Sequence, residues 1–421
     1  MTRQTEAAKE HEMSFRSMFY RYPEFLPIPL VLDGATGTSL QRRGMPKGVS
    51  TELWIDENPE MIVDVQREFI DAGADVVNSP NFGGSRFRLT HRGVKPSEVA
   101  PLNRRLIGYS RAGIDARNAS DRAGRPVFLT GNTAPSGRFL EPYGDATFDE
   151  IFDAYKEQAE AMEPMADLFF AETEISLAEC RANVLAFKAV SDKPVMASFT
   201  IGEGGRTLGG DTPLCCLLTL AELGVNIFGF NCSDGPERIY DALKELVPYA
   251  AGLGVALLAK PNAGMPVELP DGRREYSMKP DEFLPRIQKI IDLGVFVCGG
   301  CCGADGEYIK GIRELLYKAD PDAFNYKAAD STLIACTNSR TAEIPPTAKK
   351  DAVKVSSITD FDDFADNLEE DYAVLRLDSQ EDADTLKENL LSLNMPLCLT
   401  GDQDAIADFT REYCGKVVLM C

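Results

Sequence analysis

Val295-Phe296-Val297-Cys298-Gly299-Gly300-Cys301-Cys302-Gly303 is an apolar run that breaks at once into a glycine-rich loop. Four consecutive apolar residues, with no polar alternation, describe a short strand covered on both faces, as in parallel sheets. The glycines end it. The same phrase stands upstream, where Asn226–Phe230 runs into Asn231-Cys232. Working outward, six further runs repeat the theme: Leu30–Leu32, Asp75–Val77, Val127–Leu129, Leu168–Ala171, Val195–Phe199 and Ala256–Ala259. Helical stretches separate them. Met61–Ala72 puts Ile62, Val65, Phe69 and Ile70 on one face, Asp149–Ala161 and Glu282–Leu293 have similar periodicity, and Pro280-Asp281 is a helix start. Eight strand–helix units over about 290 residues predict an α/β fold, a (β/α)8 TIM barrel. A doubly wound sheet is the alternative, but no Gly-x-Gly-x-x-Gly follows the first strand.

In such a barrel the chemistry sits at the C-terminal ends of the strands. The polar motifs of this chain fall there: Asp33-Gly34-Ala35-Thr36-Gly37-Thr38, Asn78-Ser79-Pro80-Asn81-Phe82-Gly83, Gly131-Asn132-Thr133, Glu172-Thr173, Asn231-Cys232, Lys260-Pro261-Asn262-Ala263-Gly264 and Gly299–Gly303. Cys232 and the adjacent pair Cys301-Cys302 lie 69 residues apart in sequence, each after a strand. Three thiolates at strand ends can hold one zinc ion and leave its fourth position open, as a catalytic site requires. The plain alternative is three buried, inert cysteines. A Cys-Cys pair flanked by glycines after a strand favours the metal.

The composition narrows the function classes. With 44% hydrophobic and 26% charged residues, the 421-residue chain reads as a soluble protein of one large and one smaller domain. No apolar run approaches the ~18–20 residues of a membrane span, and the first residues lack a signal peptide's apolar core. Eleven irregularly spaced cysteines suggest a reducing cytoplasm rather than a disulfide framework. The net charge of −22 argues against nucleic acid and anionic membranes as partners. From Asp351 to Cys421 there are 17 acidic and 5 basic residues, a balance of −12. That reads as solvated helix faces or as a docking surface for a basic partner. Only two histidines, His11 and His91, are present, and neither lies in a strand-end motif. His-dependent triads and His-rich metal sites are therefore disfavoured.

Four segments are expected: a leader over 1–27, the barrel over 28–327, a polar linker over 328–351 with Pro345-Pro346, and an acidic α/β accessory domain over 352–421. The last reads as a βαβαβ unit, with strands Ala373–Leu377, Pro396–Leu399 and Lys416–Met420 around helices Glu381–Leu393 and Gln403–Tyr413. It has no catalytic constellation.

The barrel motifs resemble the homocysteine S-methyltransferase family, most of all the homocysteine-binding barrel of cobalamin-dependent methionine synthases. The phrases that carry the likeness are Leu32–Thr38, Leu140-Glu141-Pro142-Tyr143-Gly144, Gly205-Arg206-Thr207-Leu208, Lys260–Gly264 and the two cysteine clusters. The resemblance implies that Cys232, Cys301 and Cys302 bind Zn2+ and that Asp33, Gly34, Glu172 and Asn262 line the homocysteine site, with Asp33 and Glu172 on its amino group. Read from the residues alone, Asp33 could instead cap a turn and Glu172 could pair with a barrel arginine. Asn262 could hold a loop or reach the substrate. Two phrases depart from the family pattern: Ser79-Pro80-Asn81-Phe82 replaces Thr-Asn-Thr-Phe, and Ala134-Pro135-Ser136-Gly137 replaces Gly-Pro-Thr-Gly.

The reaction so implied is methyl transfer to the homocysteine thiol, giving methionine. It needs a thiolate at neutral pH, where a free thiol of pKa ~8.5 is little ionised, and a thiol on zinc is deprotonated. No side-chain base is needed. About 100 residues follow the barrel, so the methyl donor is expected to be free or carried by another protein. Methylcobalamin on a separate corrinoid protein leads. S-Methylmethionine or a betaine-like donor is the second reading, and a non-catalytic homocysteine or zinc sensor the third.

Overall fold

The structure is a computed structural model that describes residues 12–14, 29–120, 125–268, 274–320, 324–348 and 352–420. The leader therefore falls almost wholly outside the described residues. Its one described piece, Glu12–Ser14, pairs antiparallel with Asn325–Lys327.

Eight parallel strands form the central sheet: β1 Leu30–Val31, β2 Val76–Asn78, β3 Phe128–Thr133, β4 Leu168–Glu174, β5 Val195–Phe199, β6 Ile227–Cys232, β7 Ala256–Pro261 and β8 Val297–Cys298. Each neighbours the next in sequence, and β8 also pairs with β1. A parallel bridge between Leu32 and Val76 joins the two ends of the sheet. Closure of the ring, with helices outside it, makes this a TIM barrel and excludes the doubly wound alternative.

Helices follow the strands: α1 Pro59–Ala72, α2 Val99–Ser120, α3 Phe148–Met162, α4 Leu177–Val190, α5 Pro213–Glu222, α6 Pro236–Leu253, α7 Pro280–Ile291 and α8 Gly306–Leu316. Their starts are written locally. Thr147 and Glu150 form a reciprocal capping box on α3. Proline opens α1, α5, α6 and α7, where its missing N–H costs nothing. Alternation along the strands then divides the core. Leu30, Leu32, Val76, Leu168, Phe170, Met196, Ile227, Ala256, Leu258 and Val297 pack together inside the ring. Their neighbours, such as Val31, Val77, Phe169, Phe228 and Leu257, pack in a second cluster with the helices.

The C-terminal unit is a four-stranded parallel sheet in sequence order: β9 Val353–Lys354, β10 Ala373–Leu377, β11 Leu397–Gly401 and β12 Val418–Leu419. Helices α9 Phe361–Asp366, α10 Gln380–Glu388 and α11 Gln403–Glu412 accompany it. β9 is one strand more than the sequence pattern suggests, because a two-residue strand has no readable period. The segment over 328–351 is also more ordered than its polar composition implies. It holds a hairpin of Ile334–Cys336 and Thr341–Glu343, and Ile334 and Cys336 pack against Cys215 and Leu218 of α5. Across the same boundary, the buried Arg181 of α4 donates from Nη2 to the carbonyls of Thr410 and Arg411, at 2.6 and 3.0 Å.

Candidate metal centre

Cys232 ends β6, and Cys301 and Cys302 follow β8, its neighbour but one in the ring. Their three sulfurs lie within 4.8 Å of one another, and no other His, Cys, Asp or Glu group converges in this way among the described residues. Cys232 Sγ and Cys301 Sγ are 2.9 Å apart. All three cysteines are free and only partly buried, so the cluster is open on one side. Zinc–sulfur bonds of ~2.3 Å in tetrahedral array would set the sulfurs roughly 3.8 Å apart, so a metal would open the closest pair. The sulfurs are within hydrogen-bonding reach of one another. Hydrogen bonds from Cys232 and Cys301 hold the Cys302 thiol down at about 3, and the bond to Cys301 pushes Cys232 well above the ordinary thiol range.

The backbone is shaped to turn these side chains inward. Cys232, Ser233 and Asp234 all have positive φ, at 56, 54 and 60°. Non-glycine residues adopt such angles at a cost that surrounding contacts must offset. Ser233 Oγ supplies two of those contacts, accepting from the Ile201 N–H at 2.9 Å and donating to the Asn231 carbonyl at 2.8 Å. The Pro261–Ala263 segment joins the two cysteine loops. Asn262 N–H donates to the Cys232 carbonyl, Ala263 N–H to that of Cys302, and Cys301 N–H to that of Pro261, at 3.2, 3.0 and 2.8 Å. On the far side, Gly34 lies so close to the Ala304 carbonyl that a Cβ there would sit 2.5 Å from its oxygen. Gly34 thus seats the β1 loop against the cysteine turn.

Beneath the sulfurs is a buried charged cluster. Asp33 follows β1, Glu172 lies in β4 and Lys260 in β7, and all three are 5% exposed or less. Lys260 Nζ is 2.9 Å from Asp33 Oδ1 and 2.7 Å from Glu172 Oε1. Glu172 therefore pairs with a lysine, where its sequence alternative was an arginine. Glu172 Oε2 accepts from the side-chain amides of Asn78 and Asn132, both at 3.1 Å. Asp33 Oδ2 accepts from the Asn78 backbone N–H at 2.8 Å, so Asp33 does not cap its own turn. Burial pushes the Asp33 carboxyl up from its ordinary value, against the pull of Lys260. Burial also opposes the Lys260 charge, but Asp33 and Glu172 outweigh it and raise the lysine's pKa. Asn132 Oδ1 and Asn262 Oδ1 are buried without a hydrogen-bond donor.

The family profile described as homocysteine S-methyltransferase matches residues 30–316. The chain belongs to this family. It is 28% identical over 296 residues to the methionine synthase of Mycobacterium tuberculosis, and equally to that of Mycobacterium leprae. Each match covers 67% of this chain and 24% of the relative. The chain thus corresponds to about a quarter of these curated relatives. Among solved structures, the metallated and oxidised forms of the homocysteine methyltransferase MmuM from Escherichia coli share the barrel, at TM-scores of 0.58 and 0.59. In both, 22% identity extends over 70% of this chain and 99% of the other.

Family motifs do not reveal every group at the site. Asn231 is buried, and its Nδ2 lies 3.7 Å from both Cys232 Sγ and Cys301 Sγ and 2.6 Å from Thr173 Oγ1. Its Oδ1 accepts from Ser198 Oγ at 2.8 Å and from the Thr173 N–H at 3.1 Å. Its place just before Cys232 was the available signal. Lys260 opens a quoted motif, yet nothing local aims it at two carboxylates. The departing residue Asn81 is fully buried, and its Nδ2 donates to the carbonyl and Oδ1 of Asn103. Its visible work is to tie the segment after β2 to α2.

Proposed function

We propose that this protein is a zinc-dependent methyltransferase that makes methionine from homocysteine, drawing the methyl group from methylcobalamin on a separate corrinoid protein. The observation that carries the reading is three free sulfurs converging above a buried pair of carboxylates, at the barrel end where this fold does its chemistry. The donor set suits zinc, with Cys232, Cys301 and Cys302 as its ligands. When bound, zinc would keep the acceptor sulfur as a thiolate at neutral pH. Asn231 restrains two of the ligating sulfurs through its amide, as outer partners of metal ligands do. Asp33 and Glu172 receive the amino group of homocysteine. An ammonium offers three donors and accepts nothing, which fits acceptors still wanting donors, Asn132 Oδ1 and Asn262 Oδ1. Holding the thiol in line with the methyl group accounts for rate without a side-chain base, since orientation is worth ~7–11 kcal/mol.

Support for a large, carried donor comes from the rim. Among the described residues, six of the nine most exposed large apolar side chains lie on loops that follow barrel strands: Val49, Phe139, Tyr143, Leu208, Met265 and Val267. Apolar side chains gathered at a mouth favour docking of a partner. A reducing cytoplasm suits the thiols, and no helix among the described residues is long and apolar enough to cross a membrane. The test is a donor screen on the zinc-loaded chain, with methionine as readout. Methionine formed from a methylated corrinoid protein is the expected result. Turnover only with S-methylmethionine or betaine would replace the donor, and homocysteine binding without turnover by any donor would leave a sensor.

A further inference from the structure

Lys260 has no part in the reaction as described, yet its ammonium lies between the two carboxylates. It continues the inward alternation of Ala256 and Leu258 along β7, so its side chain rises inside the ring to meet Asp33 and Glu172. A lysine is seldom this buried unless paired, and here one ammonium serves two carboxylates. With both carboxylates ionised, the buried cluster of two anions and one cation keeps a net charge of −1. The side-chain oxygen of Asn132, whose amide donates to Glu172, remains without a donor beside it. One further ammonium would neutralise the cluster; a thiol acid without an amino group would leave its charge uncompensated.

We infer that Lys260 is a positioning and specificity residue of the thiol site: its ammonium balances one of the two carboxylates, so that the site takes up a single further cation, carried by the acceptor's amino group. The inference rests on homocysteine being the acceptor. It assigns to Lys260 the work of holding Asp33 and Glu172 apart and ready, because two buried anions with no cation between them repel each other and lose their geometry.

The experiment uses the zinc-loaded full chain, with calorimetric binding and steady-state kinetics for homocysteine and for 4-mercaptobutyrate, which lacks only the amino group. The wild type is expected to prefer homocysteine by at least about 100-fold, as sites built around a polar group reject analogues that lack it. Lys260→Met fills the same volume without charge. It is expected to raise KM for homocysteine by about 100-fold, with kcat and zinc content little changed. Lys260→Ala should regain at least about tenfold in binding with added ethylammonium and nothing with ethanol. Wild-type affinity for 4-mercaptobutyrate within about threefold of that for homocysteine would overturn the inference even if no variant folds. So would a Lys260→Met protein that binds homocysteine as the wild type does, or equal rescue by ethanol. Absence of homocysteine binding by the wild type would instead remove the acceptor reading, and this inference with it.

Discussion

Replacing Arg181 with alanine should loosen the C-terminal unit from the barrel. The side chain is 2% exposed, and burial lowers its pKa. Its Nη2 meets the carbonyls of Thr410 and Arg411, in the last turn of α11. Carbonyls of a final helical turn have no partner within the helix, and a cation there also meets the negative end of the helix dipole. Hydrogen bonds to a charged group contribute ~1.5–3 kcal/mol each. Two such bonds, with some recovery by water entering the gap, make a loss of about 3 kcal/mol. At an m-value of ~2–3 kcal/mol/M that moves a urea midpoint by about 1 M. The assay has two probes. The single tryptophan, Trp54, belongs to the barrel side, whereas far-ultraviolet circular dichroism reports both parts. Arg181→Ala should separate them, the dichroism falling first, and proteolysis should then reach the chain near Pro345-Pro346. Arg181→Lys, with one point charge for two carbonyls, should lie between. Coincident probes and a loss below about 0.5 kcal/mol would show that Arg181 is not what joins the two parts.

Cys232→Ser, Cys301→Ser and Cys302→Ser should each lower zinc content sharply from one per chain, and full zinc in all three by elemental analysis would remove the metal assignment. Glu172→Gln should weaken homocysteine binding by about 100-fold while zinc is retained, because it addresses the amino end of the substrate; unchanged affinity by calorimetry would take Glu172 out of the pocket. A chain ending near Ala328 should keep a folded, zinc-binding barrel, since all eight strands are complete. It should be less soluble than the full chain, because Cys215 and Leu218 lose the cover of Ile334 and Cys336; loss of zinc on truncation would place the hairpin in the barrel's core.

The strands, the helix start at Pro280 and the cysteine motifs were legible because each depends on a local pattern. An apolar run, a proline at a helix start or a Cys-Cys pair between glycines carries its meaning within a few residues. The barrel reading came from eight repeats of one phrase, and the structure has those strands with boundaries moved by up to four residues, most at the C-terminal end of β3. The segment over 328–351 was opaque for the opposite reason. Its hairpin is mostly polar in sequence and is ordered by what α5 presents to it, Cys215 and Leu218. Closure was likewise non-local, since a bridge between Leu32 and Val76 decides ring against open sheet.

The candidate site divides along the same line. The sequence by itself determined which residues are the candidates for the chemistry: three thiols, two carboxylates and the amides at strand ends, all expected at one rim because parallel strands end on the same side. Only the tertiary structure decided how they meet. Lys260 stands 227 positions from Asp33 and 88 from Glu172, and its charge reaches both because the closed ring brings β1, β4 and β7 to one axis. Asn231 faces two sulfurs because three residues after Phe230 and Asn231 turn through positive φ, a conformation their side chains do not announce. Strand identity follows from the chain's own periodicity, whereas the partner of a buried charge follows from the shape the strands enclose.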